Sequence, residues 1–338
     1  MGAGGVGGFH IDPWRPVKNA VITHGHSDHA RRGSSLYIAT PQSAPILRHR
    51  LGKDINLREV PYGETFTLNG MQVSLHPAGH LLGSAQVRVE HEGQVWVVTG
   101  DYKRAPDPTC DPFEVVPCDV LISECTFGLP IYQWPDPAEV INDINDWWRH
   151  CQTNNRTAIL TAYSLGKAQR LLASIDATIG PIGLHGAIAP LCQVYRDAGI
   201  HLPEWVKVDR TNAKQLKGQA LVIAPPSALG TPWPKQLAPV SAASASGWMR
   251  VRGRRRREAL DRGFVLSDHA DWPALIRTFK ETGAKRIGLT HGATEALQRY
   301  LIEVEGLDAY SIDTSYVGEG ADEATTDEAE TDPQGSLT

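Results

Sequence analysis

Short apolar, β-branched runs recur along the chain at about 20–24 (AVITH), 71–76, 94–100 (QVWVVTG), 119–124 (DVLISE), 157–163 (TAILTAY), 220–225 (ALVIAP), 263–267 and 285–291. Each has the length of a buried strand. Between many of them apolar positions repeat at helical spacing, over 137–150, 166–176, 188–198, 272–282 and 294–304. Strands alternating with helices predict an α/β layered fold. The stretch 225–247, rich in Pro, Ser and Ala, predicts an irregular connection. No apolar run approaches the ~18 residues that span a bilayer. The first residues also lack the basic and apolar regions of a signal peptide. A cytoplasmic protein with no membrane partner is expected.

Composition narrows the class. The 338 residues suffice for two domains. With 41% hydrophobic and 21% charged residues, fibrous and wholly disordered classes are excluded. None of the five cysteines stands in C-x-x-C spacing, which argues against a zinc ribbon and a disulfide framework. The net charge of −5 conceals an asymmetry. Residues 317–338 hold seven of the 38 acids and no Lys or Arg, and are expected to be a disordered acidic tail. The rest of the chain is close to neutral, with six arginines in the eight residues 250–257 (RVRGRRRR).

The distinctive chemistry sits at a strand end. In AVITHGHSDHA an apolar strand runs into His24, His26, Asp28 and His29. Imidazole and carboxylate together suit zinc or a similar borderline metal. Four such donors in six residues exceed what one tetrahedral ion readily takes from one loop, which points to two ions.

HGHSDH resembles the metal-binding motif of the metallo-β-lactamase superfamily. Further ligands are then implied at later strand ends, and His80 (HPAGHLLGSA), Asp101 (VVTGDYK) and His291 (IGLTHG) stand at matching places. The resemblance implies two divalent ions, zinc with manganese as the alternative. His24, His26 and His80 would hold the first, Asp28, His29 and His291 the second, and Asp101 would bridge. Asp12 in FHIDPW would orient a ligand from behind.

Glu124 in LISECTFG and His269 in LSDHAD, upstream of His291, resemble the pattern of β-CASP nucleases. In these proteins a second α/β domain is inserted into an αββα metallo-β-lactamase sandwich. AYSLGKAQRLL is similar to a helix start of that insertion. The organisation implied is a first part over 1–128 and an inserted domain over 129–255 with the basic segment at its end. A return part over 256–316 and the tail 317–338 follow. IDPWRPV, HPAGHLLGSAQ, GDYKRAPDPTC, TFGLP, YSLGKAQR, SGWMRVRG and GFVLSDHADW together resemble the bacterial ligase-associated DNA exonucleases. That implies a metal-dependent exonuclease acting 5′ to 3′ on single-stranded or processed DNA ends in repair. Its functional partners would be an ATP-dependent DNA ligase and a helicase. His291 matches RNA-directed β-CASP nucleases, so an RNA-processing ribonuclease is the alternative. A catalytically inactive nucleic-acid-binding scaffold is a third reading.

Such a site needs an attacking hydroxide, charge on the phosphoryl oxygens held in check, and a proton for the leaving oxygen. Two ions supply the first two needs, and Asp28 and Asp101 keep the site anionic enough to hold them. His269 is the candidate general acid and Glu124 its orienting partner. Arg250, Arg252, Arg254, Arg255, Arg256 and Arg257 are expected to hold backbone phosphate without reading sequence. Lys103 and Arg104, directly after Asp101, are expected to touch the same backbone. Ser164, Gly166, Lys167 and Gln169 form a strand-to-helix turn suited to an anion. With Ser246 and Gly247 it would make a terminal-phosphate pocket.

Overall fold

A computed structural model describes residues 8–251 and 260–313. Strands β1 (His10–Ile11), β2 (Asn19–Val21), β3 (Leu36–Ala39) and β4 (Leu57–Glu59) form a parallel sheet in that order. Helix α1 (Ala44–Leu51) covers its outer face, where Leu47 and Leu51 pack on Ala20, Ile22 and Tyr37. Strands β5 (Phe66–Leu68), β6 (Met71–Pro77), β7 (Ala85–His91) and β8 (Gln94–Val98) follow as an antiparallel meander. Two of its turns are two residues long, Asn69–Gly70 and Glu92–Gly93, and all four residues have positive φ. That is the backbone demanded by the hairpin turn whose twist matches its strands. Strand β9 (Val120–Cys125), buried at every position, runs parallel to β8.

A second unit then begins. Helix α2 (Pro137–Thr153) starts where Asp136 accepts a hydrogen bond from the Ala138 amide. Strands β10 (Thr157–Thr161), β11 (Ile182–Leu184), β12 (Val206–Lys207), β13 (Leu221–Ala224), β14 (Val240–Ala245) and β15 (Arg262–Phe264) form a wholly parallel sheet of order β12-β11-β13-β10-β14-β15. Helices α2, α3 (Lys167–Ser174) and α4 (Ala189–Asp197) bury Trp147, Trp148, Leu171 and Leu172 on one face of it. Short α5 (Ala213–Leu216) and 3₁₀ turns cover the other, around Ile159 and Val222. A parallel sheet covered on both faces needs near-continuous apolar strands, as TAILT and LVIA are.

The chain then returns through α6 (Trp272–Glu281), β16 (Arg286–Gly292), α7 (Thr294–Glu303) and β17 (Asp308–Ser311). β16 and β17 complete a seven-stranded sheet of order β17-β16-β9-β8-β7-β6-β5. Its outer face packs Val97, Leu121 and Ile287 under Leu275, Phe279, Leu297 and Leu301 of α6 and α7. Its inner face meets the four-stranded sheet through Val21, Ile38, Val73, Leu75 and Val87. The result is helix, sheet, sheet, helix, with an α/β unit inserted between β9 and the return.

Two expectations need correction. The stretch 225–247 is not wholly irregular, because β14 lies within it, between β10 and β15. The small side chains of VSAASA carry little of the apolar signal that marks a buried strand. The inserted sheet also extends past residue 255, since β15 pairs with β14 up to Phe264. No helix among the described residues is long and apolar enough to cross a membrane. The expected acidic tail lies outside the described residues.

Candidate metal centre

The candidate ligands gather from strand ends on one rim of the sandwich. Asp12 follows β1, the His24–His29 loop follows β2, His80 follows β6 and Asp101 follows β8. Glu124 closes β9, and His291 sits on β16. Gly100 has φ +56, and a Cβ there would lie 2.6 Å from Thr23 Cβ, so only glycine lets the chain turn Asp101 inward so close to the histidine loop. His291 occupies a register shift between Thr290 and Gly292, at φ +54. A bulge re-aims one side chain, and here it turns an imidazole toward His29, with ring centres 5.5 Å apart.

Two donor groups share one carboxylate. One ligand atom each from His24, His26, His80 and Asp101 lies within 4.8 Å of the others, as does one each from His29, Asp101 and His291. His24 Nε2 is 3.1 Å and His80 Nε2 is 3.2 Å from His26 Nδ1. Two ligands of a tetrahedral ion bound at about 2.0–2.1 Å lie about 3.3 Å apart. Asp101 Oδ2 is 3.4 Å from His29 Nε2 and 3.6 Å from His24 Nε2. Asp28 Oδ2 is 3.4 Å from His29 Nε2.

The opposite ring nitrogens are anchored. His80 Nδ1 meets the Asp268 carbonyl at 2.8 Å, and His26 Nε2 meets the Leu165 carbonyl at 3.1 Å. His24 Nδ1 meets Thr23 Oγ1 at 3.0 Å, and that hydroxyl donates to Asp12 at 2.6 Å. His29 Nδ1 lies 2.7 Å from the same Asp12 carboxylate. His29 Nε2, buried and aimed into the cluster, makes no hydrogen bond. Anchoring of this kind fixes ring orientation and raises ligand basicity.

Electrostatics point the same way. Burial holds His24 and His80 well below the ordinary imidazole range and lowers His26 and His291 as well. Neutral imidazole is the metal-binding form. For His29 burial acts downward too, but the carboxylates of Asp28, Asp101 and Asp12 outweigh it and raise it well above that range. Those same contacts hold Asp28 and Asp101 ionised against their own desolvation. Three carboxylates around one imidazolium leave an excess of negative charge there, which a bound cation would balance. These His/Asp clusters could therefore hold divalent metal ions.

Beside them His269 Nδ1 faces Glu124, whose oxygens also accept from the Tyr102 amide at 2.8 Å and Thr126 Oγ1 at 2.6 Å. The His269 and His80 ring centres are 4.9 Å apart. Asp101, Glu124 and His269 form a third close grouping. Cys125, next to Glu124, is a packed thiol whose ionisation burial suppresses, and Sγ meets the His291 carbonyl at 2.9 Å.

The residues expected to hold nucleic acid divide differently. Lys103, Lys167 and Gln169 offer no phosphate surface, because all three are buried. Lys103 Nζ pairs with Asp107 at 2.5 Å and lies 3.8 Å from Asp268, while Lys167 Nζ is 3.7 Å from Asp268. The Gln169 amide bridges the Gly166 N–H and the Ser164 carbonyl, occupying the turn expected to take an anion. Arg104 pairs with Glu281 at 2.6 Å. Ser246 accepts from the Trp248 amide, and Gly247 is buried under Phe127. Arg250 is exposed; Arg252, Arg254, Arg255, Arg256 and Arg257 lie outside the described residues. Sequence reasoning missed Asp107, Arg170 and Asp268. Arg170 Nη1 donates to Asp268 at 2.9 Å and to the Ser267 carbonyl at 2.7 Å. Only the adjacency of Asp268 to His269 could have signalled that group.

Known proteins show a consistent likeness. No protein-family model matches the chain. It is 32% identical over 308 residues to a probable DNA ligase of Opitutus terrae, covering 90% of this chain and 30% of that protein. It is 30% identical over 121 residues to RNase aCSPSF2 of Saccharolobus solfataricus, covering 35% of this chain and 24% of that one. It is 33% identical over 124 residues to endoribonuclease ysh1 of Schizosaccharomyces pombe, 36% of this chain and 16% of that one. The chain thus spans less than a third of the length of these curated relatives. In fold it matches a protein of unknown function from Enterococcus faecalis V583, with a TM-score of 0.59 at 13% identity, over 88% of this chain and 79% of that one.

Proposed function

We propose that the protein is a two-metal phosphodiesterase of the metallo-β-lactamase/β-CASP kind that removes nucleotides from DNA ends. The observation that carries the reading is the pair of histidine groups sharing Asp101, with Glu124–His269 at their edge. His24, His26 and His80 would hold one ion, Asp28, His29 and His291 the other, and Asp101 would bridge. When bound, zinc or manganese would supply a hydroxide at neutral pH and Lewis-acid contact to the phosphoryl oxygens. The protein's part is to keep four imidazoles oriented through Asp12, Thr23, Leu165 and Asp268, and to hold a proton at His269. With Nδ1–H donating to Glu124, Nε2 is the nitrogen that passes a proton to the leaving oxygen.

Likeness to a probable DNA ligase over 90% of the chain supports DNA as substrate and a ligase as functional associate. Likeness to two RNA-cutting enzymes, with His291 present, supports the second reading, an RNA-processing nuclease. Polarity 5′ to 3′ and action in repair, beside a helicase, belong to the first reading. The test is end-labelled single-stranded DNA and RNA, with and without a 5′-phosphate, incubated with Zn²⁺ or Mn²⁺. Stepwise loss of DNA that His269→Ala abolishes supports the reading and fixes the polarity. Cleavage of RNA alone transfers it to RNA processing. Binding without cleavage of either makes the chain a scaffold.

A further inference from the structure

The two ion positions lean on different parts of the fold. At the position of Asp28, His29 and His291 the sandwich supplies the supports. His29 Nδ1 lies 2.7 Å from Asp12, and the bulge of β16 aims His291. At the position of His24, His26 and His80 the sandwich steadies His24, through Thr23 Oγ1. His26 Nε2 donates to the Leu165 carbonyl at 3.1 Å, and Leu165 lies in the turn between β10 and α3 of the inserted unit. His80 Nδ1 donates to the Asp268 carbonyl at 2.8 Å. The lone pairs left for an ion are on His26 Nδ1 and His80 Nε2, which stand 3.2 Å apart.

The Asp268 carbonyl is itself fixed from α3. Arg170 Nη1 donates to the Ser267 carbonyl at 2.7 Å and to Asp268 Oδ1 at 2.9 Å, so one guanidinium grips both the backbone before Asp268 and its side chain. The arginine is buried. The loop that carries His80 is seated in the same way. Leu81 and Leu82, directly after it, lie in one buried apolar cluster with Leu165, Ala168 and Tyr195 of the inserted unit. The Leu82 amide donates to Tyr195 Oη of α4 at 3.2 Å. A Cβ on Gly166 would lie 3.2 Å from Leu81 Cβ, so the turn before α3 sits directly against this loop.

We infer that Arg170 is a positioning residue of the metal centre. Through it, docking of the inserted unit sets the affinity of the position formed by His24, His26 and His80, while the other position depends on the sandwich. The inference rests on the two-metal reading above. Held rings meet an ion already oriented; released rings would have to be ordered by the ion, at a loss of affinity. A sandwich with the inserted unit undocked would then hold one ion and lack the pair that hydrolysis needs. Linkage requires the converse as well, that an ion at this position strengthens docking by the same factor.

Calorimetric titration of zinc into the metal-free full chain tests this without any assay of cutting. Arg170→Lys keeps a buried cation beside Asp268 but loses the planar fork that grips two oxygens. It should weaken one zinc position about 10–100-fold and leave the other unchanged. Combined with Asp12→Asn, which acts on His29, it should weaken both. Trp148→Phe is the control for folding. Its indole donates to the Gln219 carbonyl at 2.8 Å, at the end of the inserted sheet opposite to Leu165. It should lower Tm and leave both zinc affinities as in the wild type. Zinc should also slow amide exchange at Arg170, whose N–H donates to the Gly166 carbonyl, in the wild type and in Asp12→Asn. Zinc affinities in Arg170→Lys that match the wild type, or that fall in Trp148→Phe as well, overturn the inference and leave the two-metal reading standing. So does exchange at Arg170 that ignores zinc in a chain that binds it. A wild-type chain that binds no zinc overturns both.

Discussion

The Nδ1 atom of His269 lies 2.9 Å from both carboxylate oxygens of Glu124. Glu124 is itself immobilised by the Tyr102 amide and the Thr126 hydroxyl, all of it buried. An imidazole held across both oxygens of a fixed carboxylate has one orientation, with Nδ1 donating to Glu124 and Nε2 the proposed donor to the leaving oxygen. Glu124→Gln keeps the shape and loses the charge. We expect kcat to fall about 10²-fold with KM little changed, since only proton delivery is weakened. His269→Ala should fall at least as far, and the double variant little further, because the two act as a unit. Additive losses in steady-state kinetics would assign them separate roles.

Asp12 steadies His29 directly and His24 only through the Thr23 hydroxyl. It stands at φ +45, a strained backbone for a non-glycine residue, and spends both oxygens on the Thr23–His24 and His29 side. Asp12→Asn should weaken metal binding about 10–100-fold at the position that uses His29. Calorimetric titration of zinc into the metal-free chain would show it as one weakened site beside one retained. His291→Ala should leave about one ion per chain by elemental analysis. Two ions of unchanged affinity in both variants would remove Asp12 and His291 from the site.

Much of this was legible in the sequence, for physical reasons that also mark its limits. His24, His26, Asp28 and His29 fall within one loop, so their convergence needed no tertiary information. β10, β13 and β9 announce themselves because a strand buried on both faces has to be apolar throughout. β14 does not, since the small side chains of VSAASA carry little apolar signal. Lys103 and Lys167 read as phosphate contacts because a lysine after a strand end is usually solvated. Their partner Asp268 is far along the chain and joins them only when the inserted unit folds against the sandwich.

The Asp268 group carries its own stability prediction. Burial would raise this carboxyl, but Lys167, Lys103 and Arg170 outweigh it and hold it far below the carboxylate range. Asp268→Asn removes the carboxylate that buried Lys103, Lys167 and Arg170 share. Breaking a buried pair on one side costs about 3–5 kcal/mol, and Arg170→Ala should fall in the same range. The folded pKa lies below the unfolded value of about 3.9. The contribution is therefore complete above about pH 4 and is lost as pH falls toward the folded pKa. Urea denaturation should show a constant gap between wild type and Asp268→Asn from pH 8 to pH 5 that narrows below about pH 4. A gap that widened on acidification would mean that Asp268 is not held ionised by these cations.

Metal removal should loosen the rim of the sandwich and leave its layers intact. The apolar packing between the sheets, beneath the helices and inside the inserted unit uses none of the ligands. Burial also keeps His24, His26 and His80 neutral, so the emptied cluster is not driven apart by imidazolium repulsion. What stays unresolved without a cation is the anionic side, where Asp12, Asp28 and Asp101 face the single charge of His29. The chelated protein should thus melt cooperatively with its helical signal retained, at a lower temperature. Returning zinc at about a thousand times its dissociation constant adds about 4 kcal/mol per site. That should appear as a rise of several degrees in Tm whose size depends on the zinc concentration. Asp101→Asn should lose most of the rise, because the shared carboxylate is what couples the two donor groups. A Tm indifferent to zinc in the wild-type chain would sink the metal assignment without any assay of activity.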